Sequence, residues 1–166
     1  MSAPSERAAL PVLQATCVLV GAAAVLIRGE PGSGKSSLAA ALLSRDGPRR
    51  LVRLVADDAV FLRAAGGRLV AIAPPPVAGL LEMRGLGLLV RPHEGRAVVR
   101  LIVDLVDPRD VERLPGPPDS TATVAGVVLP RLALPVRDPA APERVLAAPA
   151  LLGPAGPAGA RRRGGR

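Results

Sequence analysis

The sequence predicts an α/β fold: a single P-loop domain on a strand-rich mixed sheet, with a P-loop helix and a C-terminal helix. Three observations carry this. The run Gly29-Glu30-Pro31-Gly32-Ser33-Gly34-Lys35-Ser36 stands between a strand-like and a helix-like segment. Most strand-like segments follow one another too closely for a helical crossover between each pair. The 166 residues give room for one core, and not comfortably for two.

The elements follow in order. Residues 1–11 read as a frayed, Pro-punctuated end, and 12–152 as the folded domain. Ala15 to Val20 and Ala24 to Arg28 read as two strands turned at Gly21. The helix formers of Ser37 to Leu43 follow the glycine loop, and Gly47-Pro48 stops them. Leu51 to Ala56 is a third strand, ending at Asp57-Asp58. Val60 to Leu62 and Arg68 to Ile72 flank Gly66-Gly67, a hairpin signature. Pro74-Pro75-Pro76 breaks the chain before a short helix predicted over Val77 to Leu81. Strands are predicted over Leu86 to Val90 and Ala97 to Leu105, then a Pro-rich loop over 107–120 and one or two strands within Val124 to Val136. A last helix is predicted from Pro142 to Leu152, and residues 153–166 form an Arg-rich tail without core-building residues.

Composition narrows the function classes. The chain is 49% hydrophobic with a mean hydropathy of +0.33, yet no apolar run approaches the roughly 18 residues of a membrane span. The N-terminus has no export-signal pattern, and the single Cys17 cannot form an internal disulfide; both point to a cytoplasmic protein. Cys17 itself reads as a small buried hydrophobe. Of the +8 net charge, Arg161, Arg162, Arg163 and Arg166 carry four in the tail. Phe61 is the lone aromatic residue, so there is no stacking platform for bases, and nucleic acid is not an expected partner. Lys35 is the sole lysine among 22 basic residues. It survives where a compact ammonium and a planar guanidinium are not interchangeable.

In the loop, glycines let backbone N–H groups approach phosphate oxygens, and the following helix adds free N–H donors and its positive dipole end. Lys35 would reach the β- and γ-phosphates of a nucleoside triphosphate, and the Ser36 hydroxyl would ligate Mg²⁺. The competing reading is a plain glycine turn. Asp57-Asp58 closes the next strand, where a carboxylate sits beside metal and phosphate as a metal partner or a base; a solvated turn is the alternative. Glu82 and Arg84 stand two apart just before glycines, a spacing that most often makes a surface ion pair.

These pieces together resemble the C-terminal catalytic domain of the HPr kinase/phosphorylase family. The resemblance rests on the glycine loop, on Arg53-Leu54-Val55-Ala56-Asp57-Asp58, and on Leu80-Leu81-Glu82-Met83-Arg84-Gly85-Leu86-Gly87. Support comes from Arg100 to Leu105, Glu112-Arg113-Leu114 and Leu129 to Val136, so that it spans roughly residues 12–152. It implies the short form of the family, without its N-terminal domain. It also implies an ATP- and Mg²⁺-dependent protein serine kinase/phosphorylase that acts on the HPr phosphocarrier and so regulates carbohydrate metabolism. Lys35 and the loop amides would hold phosphate, and Ser36 with Glu82 would hold Mg²⁺. Asp58 would exchange the proton of the substrate serine, Arg113 would steady charge on the transferred group, and Arg84 would shape the site. A homo-oligomer is implied as well.

The sequence departs from the family pattern at two places. Gln14 stands where the family has His, and Ser37 where it has an acid. An amide can hydrogen-bond phosphate but cannot change charge near neutral pH. These departures support a second reading, a nucleotide-binding regulator with weak or no kinase activity. A third, a small-molecule kinase or unrelated P-loop ATPase, explains the loop but leaves the Glu82–Arg84 segment unaccounted for.

Overall fold

β3 (Ala23–Arg28) is buried through five consecutive residues, and the rest of the fold covers both of its faces. In the computed structural model, which describes residues 11–114, 116 and 119–151, it lies inside a mixed sheet. The chain enters through β1 (Val12–Leu13) and β2 (Thr16–Val20), turns at Gly21 into β3, and passes through the glycine loop into α1 (Lys35–Leu43). β4 (Val52–Ala56) returns along β2, and β5 (Val60–Ala65) and β6 (Arg68–Ile72) form a hairpin. β7 (Leu80–Met83) and β8 (Gly87–Val90) make a separate two-stranded sheet. β9 (Arg96–Val106), β10 (Thr121–Val124), β11 (Val127–Pro135) and α2 (Ala141–Leu146) complete the fold.

Among the described residues nine strands share the main sheet, in the order β1-β5-β6-β9-β3-β2-β4, with β11 on β9 and β10 on β11. Among these pairs only β3–β9 and β9–β11 are parallel; the others are antiparallel. The eleven residues of β9 explain the branching. Its first part pairs with β6, and its last part takes β11 instead.

The two-residue period of the strands divides the core. Val25, Ile27, Leu101, Val103 and Leu134 face α1 and α2, packing on Leu38, Leu42 and Val145. Ala24, Leu26 and Ile102 face the other way, toward Leu69, Val127 and Leu129. Cys17 is fully buried on this second side, and burial pushes its thiol pKa far above the ordinary value.

Most predicted elements form where expected. At Gly66 and Gly67 both φ angles are positive, as a two-residue turn joining right-twisted strands requires. Two expectations fail. Instead of a helix over Val77 to Leu81, the chain makes a 3₁₀ turn at Pro75–Val77 and then the strand β7. Gly79 at φ 77° stops helical propagation, and Leu80 to Met83 find partners across from Val90 to Gly87. The last helix starts one residue before Pro142 and ends at Leu146 rather than Leu152, because Pro149, which has no N–H to donate, opens a 3₁₀ turn at Pro149–Leu151. The frayed N-terminal stretch up to residue 10, Leu152 and the Arg-rich tail lie outside the described residues. No helix among the described residues is long and apolar enough to cross a membrane.

Candidate functional site

The glycine loop leaves the end of β3, at the middle of the sheet, and delivers the chain into α1. Its backbone depends on glycine at both ends. A Cβ at Gly29 would meet Ser33 Oγ at 2.5 Å and the carbonyl oxygen of Leu105 at 3.1 Å. Gly34 caps α1 with φ 104°, a conformation L side chains avoid. No side chain caps α1 and no acid lies in its first turn, so its leading N–H groups keep their attraction for an anion. Ser33 Oγ is buried without a hydrogen-bond partner beside them.

Lys35 is 9% exposed, and Nζ donates to the carbonyl oxygens of Gly29 at 2.8 Å and Glu30 at 3.1 Å. Its ammonium is thus wrapped by the loop and paired with no carboxylate among the described residues. Asp57 is the centre of the neighbouring cluster. Its carboxylate accepts from Thr16 Oγ1 at 2.7 Å, from Ser36 Oγ at 3.0 and 3.2 Å, and from the backbone N–H of Glu82 at 3.0 Å. One side chain therefore ties β2, α1 and β7 together. Asp58, by contrast, is exposed, with its backbone left-handed at φ 64°.

These groups border one cleft of about 660 Å³, the size of many small-molecule sites. The cleft brings together Pro31 to Ser36, Asp57, Asp58, Glu82 and Arg84, along with Gln14 and Ser37. Glu82 thus lies on a strand beside the loop, and it forms no ion pair with Arg84, contrary to the surface pairing that spacing alone suggests. Gly29 and Glu30 supply the loop's base and the carbonyls that hold Lys35. Arg113 is exposed in the segment after β9 and does not border the cleft; neither does His93. Ser36 and Glu82, with Asp57 behind them, make an all-oxygen donor set of the kind that suits Mg²⁺. Among the described residues no group of three or more His, Cys, Asp or Glu side chains gathers as a metal cage.

Three residues of the site were missed from sequence. Thr16 sits in an apolar strand where a threonine is unremarkable, and Arg137 and Asp138 border the cleft from the turn after β11. A charged pair directly after the strand end Pro135-Val136 was the available signal for the last two.

On the other side of the sheet lies a different carboxylate. Asp104 takes Arg28 Nε at 2.7 Å and Nη2 at 2.8 Å, and Arg131 Nε at 2.5 Å, fastening β3, β9 and β11. Burial alone would raise its pKa, but the hydrogen bonds and charges of Arg28 and Arg131 hold it below the ordinary carboxylate value.

Comparison with known proteins bears on this geometry. The profile of the HPr Serine kinase C-terminal domain family matches residues 7–151. The chain is 44% identical over 126 residues to the HPr kinase/phosphorylase of Stenotrophomonas maltophilia, covering 68% of this chain and 38% of that protein. It is 34% identical over 145 residues to that of Geobacillus thermodenitrificans, covering 80% of this chain and 45% of that protein. The chain therefore spans less than half the length of these curated relatives. A solved structure of the HPr(Ser) kinase/phosphatase from Coxiella burnetii superposes with a TM-score of 0.68 at 25% identity, covering 81% of this chain and 86% of that one. None of these comparisons favours a regulator without transfer activity.

Proposed function

We propose that this chain, which belongs to the HPr Serine kinase C-terminal domain family, moves a phosphoryl group between ATP and a serine of an HPr-like phosphocarrier. The observation that carries the reading is the Asp57 cluster. It holds the Ser36 hydroxyl and the Glu82 strand against the glycine loop, with an exposed carboxylate, Asp58, on the same cleft.

The loop amides and the α1 N-terminus bind the nucleotide phosphates, and Lys35 exchanges its carbonyl partners for phosphate oxygens. Ser36 and Glu82 hold Mg²⁺, which when bound screens the charge of the phosphates. Asp58 accepts the proton of the serine hydroxyl as its oxygen bonds to the γ-phosphorus and ADP leaves with the bond's electron pair. In the reverse direction Asp58 takes a proton from inorganic phosphate as the phosphate oxygen bonds to the phosphorus of phosphoserine. The bond from phosphorus to the serine oxygen breaks, pyrophosphate forms, and the departing serine oxygen takes that proton from Asp58. Catalysis rests on positioning and on cations around the equatorial oxygens, because the loose transition state asks for little covalent chemistry. Arg84 shapes the acceptor side. For Arg113 to steady the transferred group, its segment must move to the cleft.

The direct test is incubation of the purified chain with γ-labelled ATP, Mg²⁺ and HPr. Label on the HPr serine is the expected result, and release of pyrophosphate on adding phosphate and phosphorylated HPr is expected in reverse. An unlabelled serine across pH and nucleotide concentration would overturn the reading.

A further inference from the structure

Among the described residues three non-glycine residues have a left-handed backbone: Asp58 at φ 64°, Ala125 at 48° and Arg137 at 61°. Ala125 is accounted for by its place in the two-residue turn between β10 and β11, before Gly126 at φ 77°. The other two border the same cleft, one acid and one base, on segments 79 residues apart in the chain. A conformation unfavourable to any residue with a Cβ persists where surrounding structure imposes it, and such residues gather at functional sites.

Arg137 has a second peculiarity. It is exposed at the cleft and forms no hydrogen bond or ion pair with the described residues. The acid beside it is already engaged: Asp138 Oδ1 accepts from the N–H of Ala140 at 2.9 Å, and Oδ2 stands 3.0 Å from Arg144 Nη1. The other described arginine of this cleft, Arg84, rides on the β7–β8 hairpin, whereas Arg137 rides on the turn closing β11, next to α2. An unpaired planar cation held there suits the forked geometry of phosphoryl oxygens.

We propose that Arg137 is a phosphate-binding residue, its guanidinium engaging the terminal phosphoryl oxygens of a nucleotide seated in the glycine loop. The proposal rests on the reading of that loop as a nucleotide site.

The experiment is calorimetric titration of the whole chain with MgATP, with magnesium pyrophosphate and with AMP, for wild type and for Arg137→Gly, Arg137→Asn and Arg137→Lys. Gly and Asn both accept a left-handed backbone, so neither disturbs the turn. Affinity for ATP and pyrophosphate is expected to fall about tenfold in both, as for loss of one charge-assisted contact, with AMP unchanged and the Lys variant in between. The thermal midpoint of the unliganded Gly variant is expected to equal or exceed that of wild type. If wild type binds neither ATP nor pyrophosphate, the reading of the loop fails and takes this proposal with it. If wild type binds and the Gly and Asn variants bind as tightly, this proposal alone is overturned. An equal loss for AMP, or a lowered unliganded midpoint in both variants, would make Arg137 structural and overturn it too.

Discussion

Asp57 and Asp104 are both carboxylates drawn into the protein, and they are held in opposite ways. Asp104 meets two guanidiniums, which outweigh its charge and fasten three strands together. Asp57 meets neutral donors, two hydroxyls and one amide, and no cation pairs with it among the described residues. Its oxygens are fixed in place while its charge is left over. A carboxylate held by arginine is a staple; one held by hydroxyls beside a glycine loop keeps its charge, which in the proposed reaction would face the Mg²⁺ that arrives with the nucleotide.

The sharpest way to break this contrast is to neutralise each acid in turn. Asp57→Asn is expected to lower phosphoryl transfer about 100-fold, through loss of charge beside the phosphates. It should cost only about 1 kcal/mol of stability, for a rearranged hydrogen bond to the Glu82 amide. Labelling of HPr and urea unfolding would measure the two effects. Equal damage to both would remove the distinction between staple and site.

Asp104→Asn should show the reverse. Its two arginine partners are 29% and 25% exposed, so the loss is smaller than for a fully buried pair, about 2 kcal/mol, with transfer by the folded fraction retained. The pH dependence sharpens this. Because the folded-state pKa of Asp104 is depressed, its contribution is full above about pH 4 and disappears as pH falls through the lower folded value. The stability gap between wild type and Asp104→Asn is therefore expected to close on acidification. A gap that stays constant below pH 4 would mean that the arginines do not act through charge.

The smallest expected effect is that of Thr16→Val, which removes one buried donor from Asp57 and keeps the strand's shape. A loss of about 1 kcal/mol is expected, with a weaker dependence of transfer on Mg²⁺ concentration than Asp57→Asn shows. Unfolding midpoints and Mg²⁺ titrations of the transfer rate would check it.

Much of the fold was legible in the sequence because its signals are local. The apolar run of β3, the glycines of the β5–β6 turn and the loop before α1 each declare their backbone within a few residues. The Val77 to Leu81 segment misled for the same reason. Its composition allows a helix, and only pairing with β8 makes it a strand. The resemblance carried the site further than composition could, bringing Glu82 to the loop where spacing alone suggested a surface pair.

By itself, then, the sequence determined the loop at Gly29 to Ser36, because positive φ angles, a close backbone approach and a free helix N-terminus follow from residues next to one another. The tertiary structure alone decided which acid of Asp57-Asp58 is anchored and which is free. The donors to Asp57 come from residues 41, 21 and 25 positions away, so their convergence exists only once β2, α1 and β7 have packed.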